Sequence, residues 1–452
     1  MLCSAYLVLL FFLAIIEIVR EKSNKIDFLT LFNIYFSLMY PLPAFLLAFD
    51  FDHSASTLGL GISLYANNIQ TALAIFAGYF FVLVGFYSKS AQKSGKNIII
   101  KARANDLIVL IYAIFLLLFS CLSIYIYGLQ YGGFLNALAN TALIRVQAVE
   151  GGPLVFFQHF TLFSSFASYL LGSFIFMKKI KTGKFVLYIT FVFSIIIALV
   201  AIMLTGGRGY IINYFLGFFL IYILNNRRLS WVSITLFVCV VTLFLFYGKI
   251  IFFSLTALPE GYIAVINKFS DSIKSGSSND FSFYNLMQNF HYPVYSLDVA
   301  FSKDYQLRWF VDLIYGFTSL IPSRLFGIKK IPESILYYNT KYITGNNDSA
   351  IPTGFLAFGI YSLWWPGLII VCFIYGWIGR YLQTILNKHI GDIFWVPFIY
   401  PIIAQMWMDF LGSDPETFLQ SYFSFLIAIV LLLVVASKVS VVRYQKVQSR
   451  FF

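Results

Sequence analysis

The sequence predicts an all-α integral membrane protein, a polytopic bundle of about eleven membrane-crossing helices with one large external loop module. Composition is the first ground: 60% of the 452 residues are apolar and only 11% are charged. A soluble domain carries roughly 25% charged residues and could not cover itself with water-facing groups on fewer than half of that. The second ground is the length of the apolar runs, and the third is the placement of Lys and Arg between them. Soluble enzymes, disordered scaffolds and secreted disulfide modules are excluded. The four cysteines, Cys3, Cys121, Cys239 and Cys372, each sit inside an apolar run, without the spacing of a disulfide framework or a zinc site.

A helix needs about 20 apolar residues to cross the hydrocarbon. Runs of that kind fall near 2–19, 27–49, 70–87, 107–128, 161–177, 185–204, 210–224, 230–252, 362–386, 392–411 and 418–437. Short connections, as at 205–209, make neighbours antiparallel. The alternating 10-residue segments of a membrane β-barrel do not occur. The first run lacks a basic leader and a small-residue cleavage site and is followed by Arg20, so it reads as a retained span. The chain divides into 1–252 with eight spans, 253–361 as the external module, and 362–452 with three spans and a basic tail.

Charge fixes the orientation. Alternate connections collect 20 basic residues, from Arg20, Lys22 and Lys25 to Lys438, Arg443, Lys446 and Arg450. By the positive-inside rule these connections face the cytoplasm. The formal net charge of +12 is therefore topology, not a nucleic-acid footprint, and the external face is slightly acidic. The 253–361 stretch carries Gly, Ser, Asn and Asp clusters and reads as a small water-facing module. Its apolar piece 309–320 is interrupted by Asp312 and is too short to span, which predicts an interfacial helix.

Cationic groups stand out on that external face. Arg208 lies in Gly206-Gly207-Arg208-Gly209, a tight turn that opens a helix with its positive dipole end outward. Gly207 and Gly209 let backbone N–H groups approach a ligand, and an arginine fork beside a helix N-terminus suits phosphate or pyrophosphate. A plain turn whose arginine reaches lipid headgroups is the bland alternative. Arg145, Arg308 and Arg324 are the other external arginines; each alone reads as a solvated residue, and convergence with Arg208 would reverse that.

For a general base the candidates are His291, within Asn289-Phe290-His291-Tyr292-Pro293, and Asp348, within Gly345-Asn346-Asn347-Asp348-Ser349, a cluster that turn chemistry explains equally well. Two acids fall within apolar runs, where burial is costly. Glu17 pairs with Arg20 three residues on, and Asp409 lies near an external helix end beside Gln405. Asp50-Phe51-Asp52 has the spacing of a divalent-cation pair, a cheap match by chance. No histidine spacing calls for a metal, and neither cofactor nor metal is expected.

An aromatic-rich bundle of about eleven spans, Thr205-Gly206-Gly207-Arg208-Gly209 at an external turn, and a large late loop together resemble the O-antigen polymerases, which join oligosaccharide repeat units. Within the loop, Ile321-Pro322-Ser323-Arg324-Leu325 running to Lys330 resembles that family's Ile-Pro-Arg-x-Leu segment, with Ser323 inserted before Arg324 and no proline after Lys330. Ile351-Pro352-Thr353-Gly354 to Tyr361, then Pro366-Gly367, resembles its glycine-rich approach to the next span. The resemblance implies a GT-C-like membrane glycosyltransferase at the periplasmic face of a bacterial inner membrane. Its substrates would be oligosaccharides on undecaprenyl pyrophosphate, transferred with inversion. Arg208 and Arg324 would hold pyrophosphate with help from Arg145 and Arg308, and His291 would be the base. A polysaccharide chain-length regulator is the implied protein partner. The rival readings are an O-antigen ligase, a metal-dependent transferase built on Asp50 and Asp52, and a lipid-linked sugar flippase or transporter. Against the last, polarity gathers in an external loop and not on broken midplane helices.

Overall fold

The computed structural model describes residues 2–22, 24, 27–49, 68–102, 106–141, 144, 152–177, 183–225, 230–275, 290–320, 334–345 and 350–441. Each apolar run contains a helix. Helices of eight or more residues are α1 (Leu2–Val19), α2 (Phe28–Met39), α3 (Pro41–Ala48), α4 (Ile69–Phe86), α5 (Lys89–Asn97), α6 (Asp106–Leu129), α7 (Phe163–Met177), α8 (Lys184–Leu204) and α9 (Arg208–Asn225). The second half adds α10 (Trp231–Ser254), α11 (Tyr262–Ser275), α12 (Tyr292–Ser302), α13 (Val311–Thr318), α14 (Ile335–Thr344), α15 (Gly354–His389), α16 (Val396–Asp409) and α17 (Pro415–Ala436).

Among the described residues, eight helical segments are long and apolar enough to cross a membrane: α1, α2 with α3, α4, α6, α7 with the turns before it, α8, α15 and α17. Broad apolar faces point outward on these helices, as at Phe11, Ile18 and Val19 of α1 and Phe185, Val186 and Ile189 of α8. The other three runs are shorter or bent. α9 offers an apolar stretch of 16 residues, α10 is bent by 54° after Gly248, and α16 has 14 residues with Pro397 and Pro401 in its first two turns. At 1.5 Å per residue α16 is about 21 Å long, short of the roughly 30 Å of a hydrocarbon core.

The expectation of helices alone needs one correction. β1 (Ile98–Ala102) and β2 (Ser437–Val441) form an antiparallel ribbon, with Ile98 opposite Val441 and Ala102 opposite Ser437. Lys and Arg dominate the connections at this end of the bundle, here called the basic end. Lys388 donates to the carbonyls of Lys96 and Ile98, at 2.9 and 3.2 Å, and the Ile100 N–H donates to His389 Nε2 at 3.1 Å. At the same end the Arg20 guanidinium reaches Glu17 Oε2 at 2.9 Å and both oxygens of Asp27 at 2.6 and 2.7 Å, and Lys22 reaches Glu17 Oε1 at 2.7 Å, so the expected Glu17–Arg20 pair is one part of a four-membered bridge. Asp27 also caps α2 by accepting from the Thr30 N–H.

α15 is not one rod. Leu363 and Trp364 leave helical geometry, with Trp364 at φ 58°, and the chain reverses there. In a straight helix residues 355 and 375 would stand about 30 Å apart. Here the Phe355 and Tyr375 rings are 5.0 Å apart. The nine residues from Gly354 to Ser362 thus form an arm folded back along the span that follows, and every one of them is buried. Part of the stretch expected to face water is accordingly interior, and α12 is too: Val294, Leu297, Val299 and Ala300 are all shielded. Apolar sequence with small residues permits this. A Cβ on Gly367 would lie 2.1 Å from the Gly359 carbonyl oxygen, so the turn closes only with glycine there.

α4 packs on this hairpin through glycine as well. A Cβ on Gly85 would come within 2.1 Å of the Phe373 carbonyl, and one on Gly376 within 2.1 Å of the Val82 carbonyl. Gly78 faces Leu356 of the arm and Cys372 of the span together. Without a hydrophobic drive between helices in lipid, such backbone approach is a main source of association. The interfacial helix expected at 309–320 is α13; its Ile314 and Phe317, with Trp309 before it, are exposed, while Asp312 and Gly316 are buried.

Gly85→Ala and Gly376→Ala should each force α4 and α15 apart and lower stability by about 1–3 kcal/mol, the usual cost of overpacking. Thermal unfolding of detergent-solubilised protein checks this, and unchanged midpoints would mean that the helices are not in backbone contact.

Candidate functional site

Polar side chains converge away from the basic end, where α9 begins and α16 and α17 meet. Asp409 ends α16. Its Oδ2 accepts from Asn213 Nδ2 of α9 at 2.6 Å and from the Tyr422 hydroxyl of α17. Gln405, one turn earlier on α16, donates to the Asn213 carbonyl at 2.9 Å, and the Tyr210 hydroxyl of α9 meets Ser421 of α17 at 2.8 Å. Three helices are thus tied together around one carboxylate. The other oxygen, Asp409 Oδ1, is shielded from solvent and has no hydrogen-bond partner among the described residues. A buried carboxylate oxygen left in that state costs free energy, so structure alone does not account for it.

Helix rise places the carboxylate along the bundle. Asp409 lies 13 residues from the start of α16 and Tyr422 lies 14 from the end of α17, about 20 Å from the basic end by either route. Asn213 lies five residues after Arg208, about 8 Å below the opposite end. The two distances sum to roughly the 30 Å of a hydrocarbon core, with Asp409 in the half nearer the glycine turn.

That turn is built for a sharp reversal. Gly206 takes φ 65°, the Thr205 hydroxyl returns to the Ile202 carbonyl, and the Tyr210 ring packs where a Cβ on Gly207 would sit. Among the described residues nothing lies within 4 Å of the Cβ position of Gly209, which sits in the first turn of α9. α9 begins at Arg208. Of the predicted pyrophosphate ligands, Arg208 and Gly209 therefore stand above the Asp409 cluster on the same helix as Asn213, with Gly207 just before that helix.

Two further helix starts approach the same interior. The Tyr292 hydroxyl, at the head of α12, donates to the Gly412 carbonyl at 2.8 Å. Gly354, at the head of the arm, lies against Tyr40, Pro293 and Leu411, and the Tyr40 hydroxyl donates to the Leu411 carbonyl at 3.1 Å. Both helices run outward from here. α12 passes Asp298, whose Oδ1 accepts from Thr71 at 3.0 Å, and the arm ends at the reversal.

His291 precedes α12, fully enclosed, its ring edge-on to Tyr295 at 5.9 Å. Burial pushes its pKa down to about 4, so the imidazole is neutral near pH 7. Arg308 stands three residues before α13. Its Nε and Nη2 donate to Asp312 at 2.6 and 2.7 Å, and its guanidinium carbon sits 5.2 Å from the Tyr338 ring centre. The N–H groups of Arg308 and Trp309 donate to the carbonyls of Tyr361 and Ser362, which holds the arm at the reversal. This edge of the guanidinium is engaged within the fold, and Asp312 lies within electrostatic range of Asp414 and Glu416 at the head of α17. Arg145, Arg324 and Asp348 lie outside the described residues, as do Asp50 and Asp52. Among the described residues no group of three His, Cys, Asp or Glu is placed to hold a metal. An open groove of about 440 Å³ between α11 and the turn before it, lined by Glu260, Lys268 and Asp271, is remote in sequence from these elements.

Asp409 carries a visible signal, an acid in an apolar run. Asn213 and Tyr422 carry little, because only the fold pairs them with it. The chain matches no known family model, no curated protein and no solved structure.

Two outcomes are expected. Arg308→Ala should cost about 3–5 kcal/mol by stranding buried Asp312, and Arg308→Met with Asp312→Asn should recover much of it in thermal melts. Because folded His291 binds its proton about two pH units later than an ordinary histidine, the unfolded chain holds more protons between about pH 6.5 and 4, and stability must fall as pH drops through that window. His291→Phe should lose less over the same interval; equal losses would mean that the ring is not buried neutral.

Proposed function

We propose that the chain is a membrane glycosyltransferase of the O-antigen polymerase type, extending a polysaccharide from undecaprenyl-pyrophosphate-linked repeat units. The observation that carries this reading is the stacking of two chemistries on one helix. The glycine turn with Arg208 opens α9, and Asn213, five residues on, grips the Asp409 carboxylate. In this reading all eleven apolar runs cross the bacterial inner membrane, the basic end is cytoplasmic, and the glycine turn faces the periplasm. A polyprenyl donor enters sideways between apolar helices and needs no soluble nucleotide-sugar domain.

The chain's own residues then divide the work. N–H groups of the first turn of α9, with the Arg208 guanidinium, bind pyrophosphate and offset the charge that grows on it as the glycosidic bond breaks. Arg324 and Arg145 join from the loops. Arg308 acts at one remove by fixing the arm, whose N-terminus and that of α12 point their positive dipole ends into the interior near Asp409. Exposed Ile314 and Phe317 of α13 rest on the bilayer surface beside the loop.

Deleting the gene in its native host should collapse long polysaccharide ladders on the lipopolysaccharide to a single repeat. Loss of even that repeat would indicate ligation to the lipid core, and unchanged ladders would refute the reading. Arg208→Lys keeps the charge and removes the fork, so it should reproduce the collapse at normal protein level. Wild-type ladders in that variant would make the arginine a lipid anchor.

A further inference from the structure

We infer that Asp409 is the proton acceptor of the transfer step and that its Oδ1 receives the acceptor-sugar hydroxyl. This rests on the glycosyltransferase reading above. Oδ2 is saturated by Asn213 and Tyr422, which orients the carboxylate and leaves Oδ1, shielded and unpaired, as the atom with basic capacity to spare. A sugar hydroxyl supplies what that oxygen lacks, a neutral donor small enough to enter among tyrosines. Tyr35, Tyr292 and Tyr375 stand within electrostatic range of the carboxylate, and tyrosine faces and hydroxyls suit the faces and hydroxyls of a sugar ring.

Spacing agrees. Between a bound phosphorus and the base lie the phosphoester bridge, the anomeric carbon, a near-attack gap of about 3 Å and a hydrogen bond of about 2.7 Å, roughly 7–9 Å in all. The rise from Arg208 to Asn213 is about 8 Å. The step balances within these groups. The acceptor oxygen forms a bond to the anomeric carbon while its proton passes to Asp409. The anomeric carbon–oxygen bond to phosphate breaks, its electron pair leaves on undecaprenyl pyrophosphate, and the carboxylic acid afterwards returns its proton to water.

The choice of Asp409 over His291 rests on α9, which begins at Arg208 and whose Asn213 holds the Asp409 carboxylate.

The test uses full-length protein in lipid nanodiscs, with a synthetic undecaprenyl-pyrophosphate repeat unit as substrate and undecaprenyl pyrophosphate as binding probe. Asp409→Asn keeps shape and both hydrogen bonds; it should lower polymer formation by about 10²–10⁴-fold and leave probe affinity within about twofold. Asp409→Glu keeps the carboxylate and should polymerise faster than Asp409→Asn. A purely structural role predicts the reverse order, since the isosteric amide would be tolerated and the longer acid would not. Asn equal to or better than Glu therefore overturns the assignment, even if one variant accumulates poorly. Activity of wild type with full activity of Asp409→Asn would remove Asp409 and leave the glycosyltransferase reading in place. Inactive wild type, with the probe unbound, would remove both.

Discussion

Backbone contact between α4 and the folded hairpin of α15 is the constraint from which the interior follows. Gly85 and Gly376 bring the two helices to a distance at which any side chain would collide with a carbonyl, and Gly78 to one at which it would collide with Leu356. Gly78 touches both limbs of the hairpin, at Leu356 and Cys372, so the arm has one possible position. The arm in turn presents Gly354 to Tyr40 and Leu411, and Leu411 follows Asp409 by two residues. A carboxylate in an apolar environment keeps its place only if its neighbours are fixed, and here they are fixed by a chain of contacts that begins at glycine.

The same chain explains how helices can start inside an apolar bundle. A helix start exposes unpaired N–H groups, and lipid offers nothing to pair them. At the arm a tyrosine hydroxyl takes that role: Tyr40 accepts from the Leu356 N–H at 3.5 Å and donates a hydrogen bond to the Leu411 carbonyl. At the far end of the arm the carbonyls of Tyr361 and Ser362 are met by the strap that Arg308 and Asp312 lock. Buried polar groups of this kind hold one arrangement against its competitors, because each stranded donor or acceptor would be expensive.

Much of the bundle was legible in the sequence because its signal is local. Apolar runs, the Glu17–Arg20 spacing and the glycine turn before α9 can be read from neighbours in the chain. The arm could not be read so: 354–362 is apolar enough to be buried but too short to span, and only Phe355 against Tyr375 reveals the reversal. Arg308 read as a free external cation because its partner at i+4 is an ordinary spacing whose burial depends on α14 and the arm. Asp409 was visible as an acid out of place, whereas Asn213 lies 196 residues away from it and gives no sign of pairing. The ribbon was missed for a related reason. Each strand is five residues long, and neither has a partner within reach of a hairpin turn.

That ribbon sets an order of events during synthesis. β1 leaves the ribosome about 335 residues before β2, which at roughly 5–20 residues per second is a wait of about 20–70 s. For that interval β1 is an open edge, and Lys388 and His389, which later clasp it, arrive only shortly before its partner. An unpaired edge can persist in water but not in hydrocarbon, so the closing contact belongs at the basic end and not among the spans. The ribbon thus closes only once α17 is in place, and damage to its final residues is felt by a strand made a minute earlier.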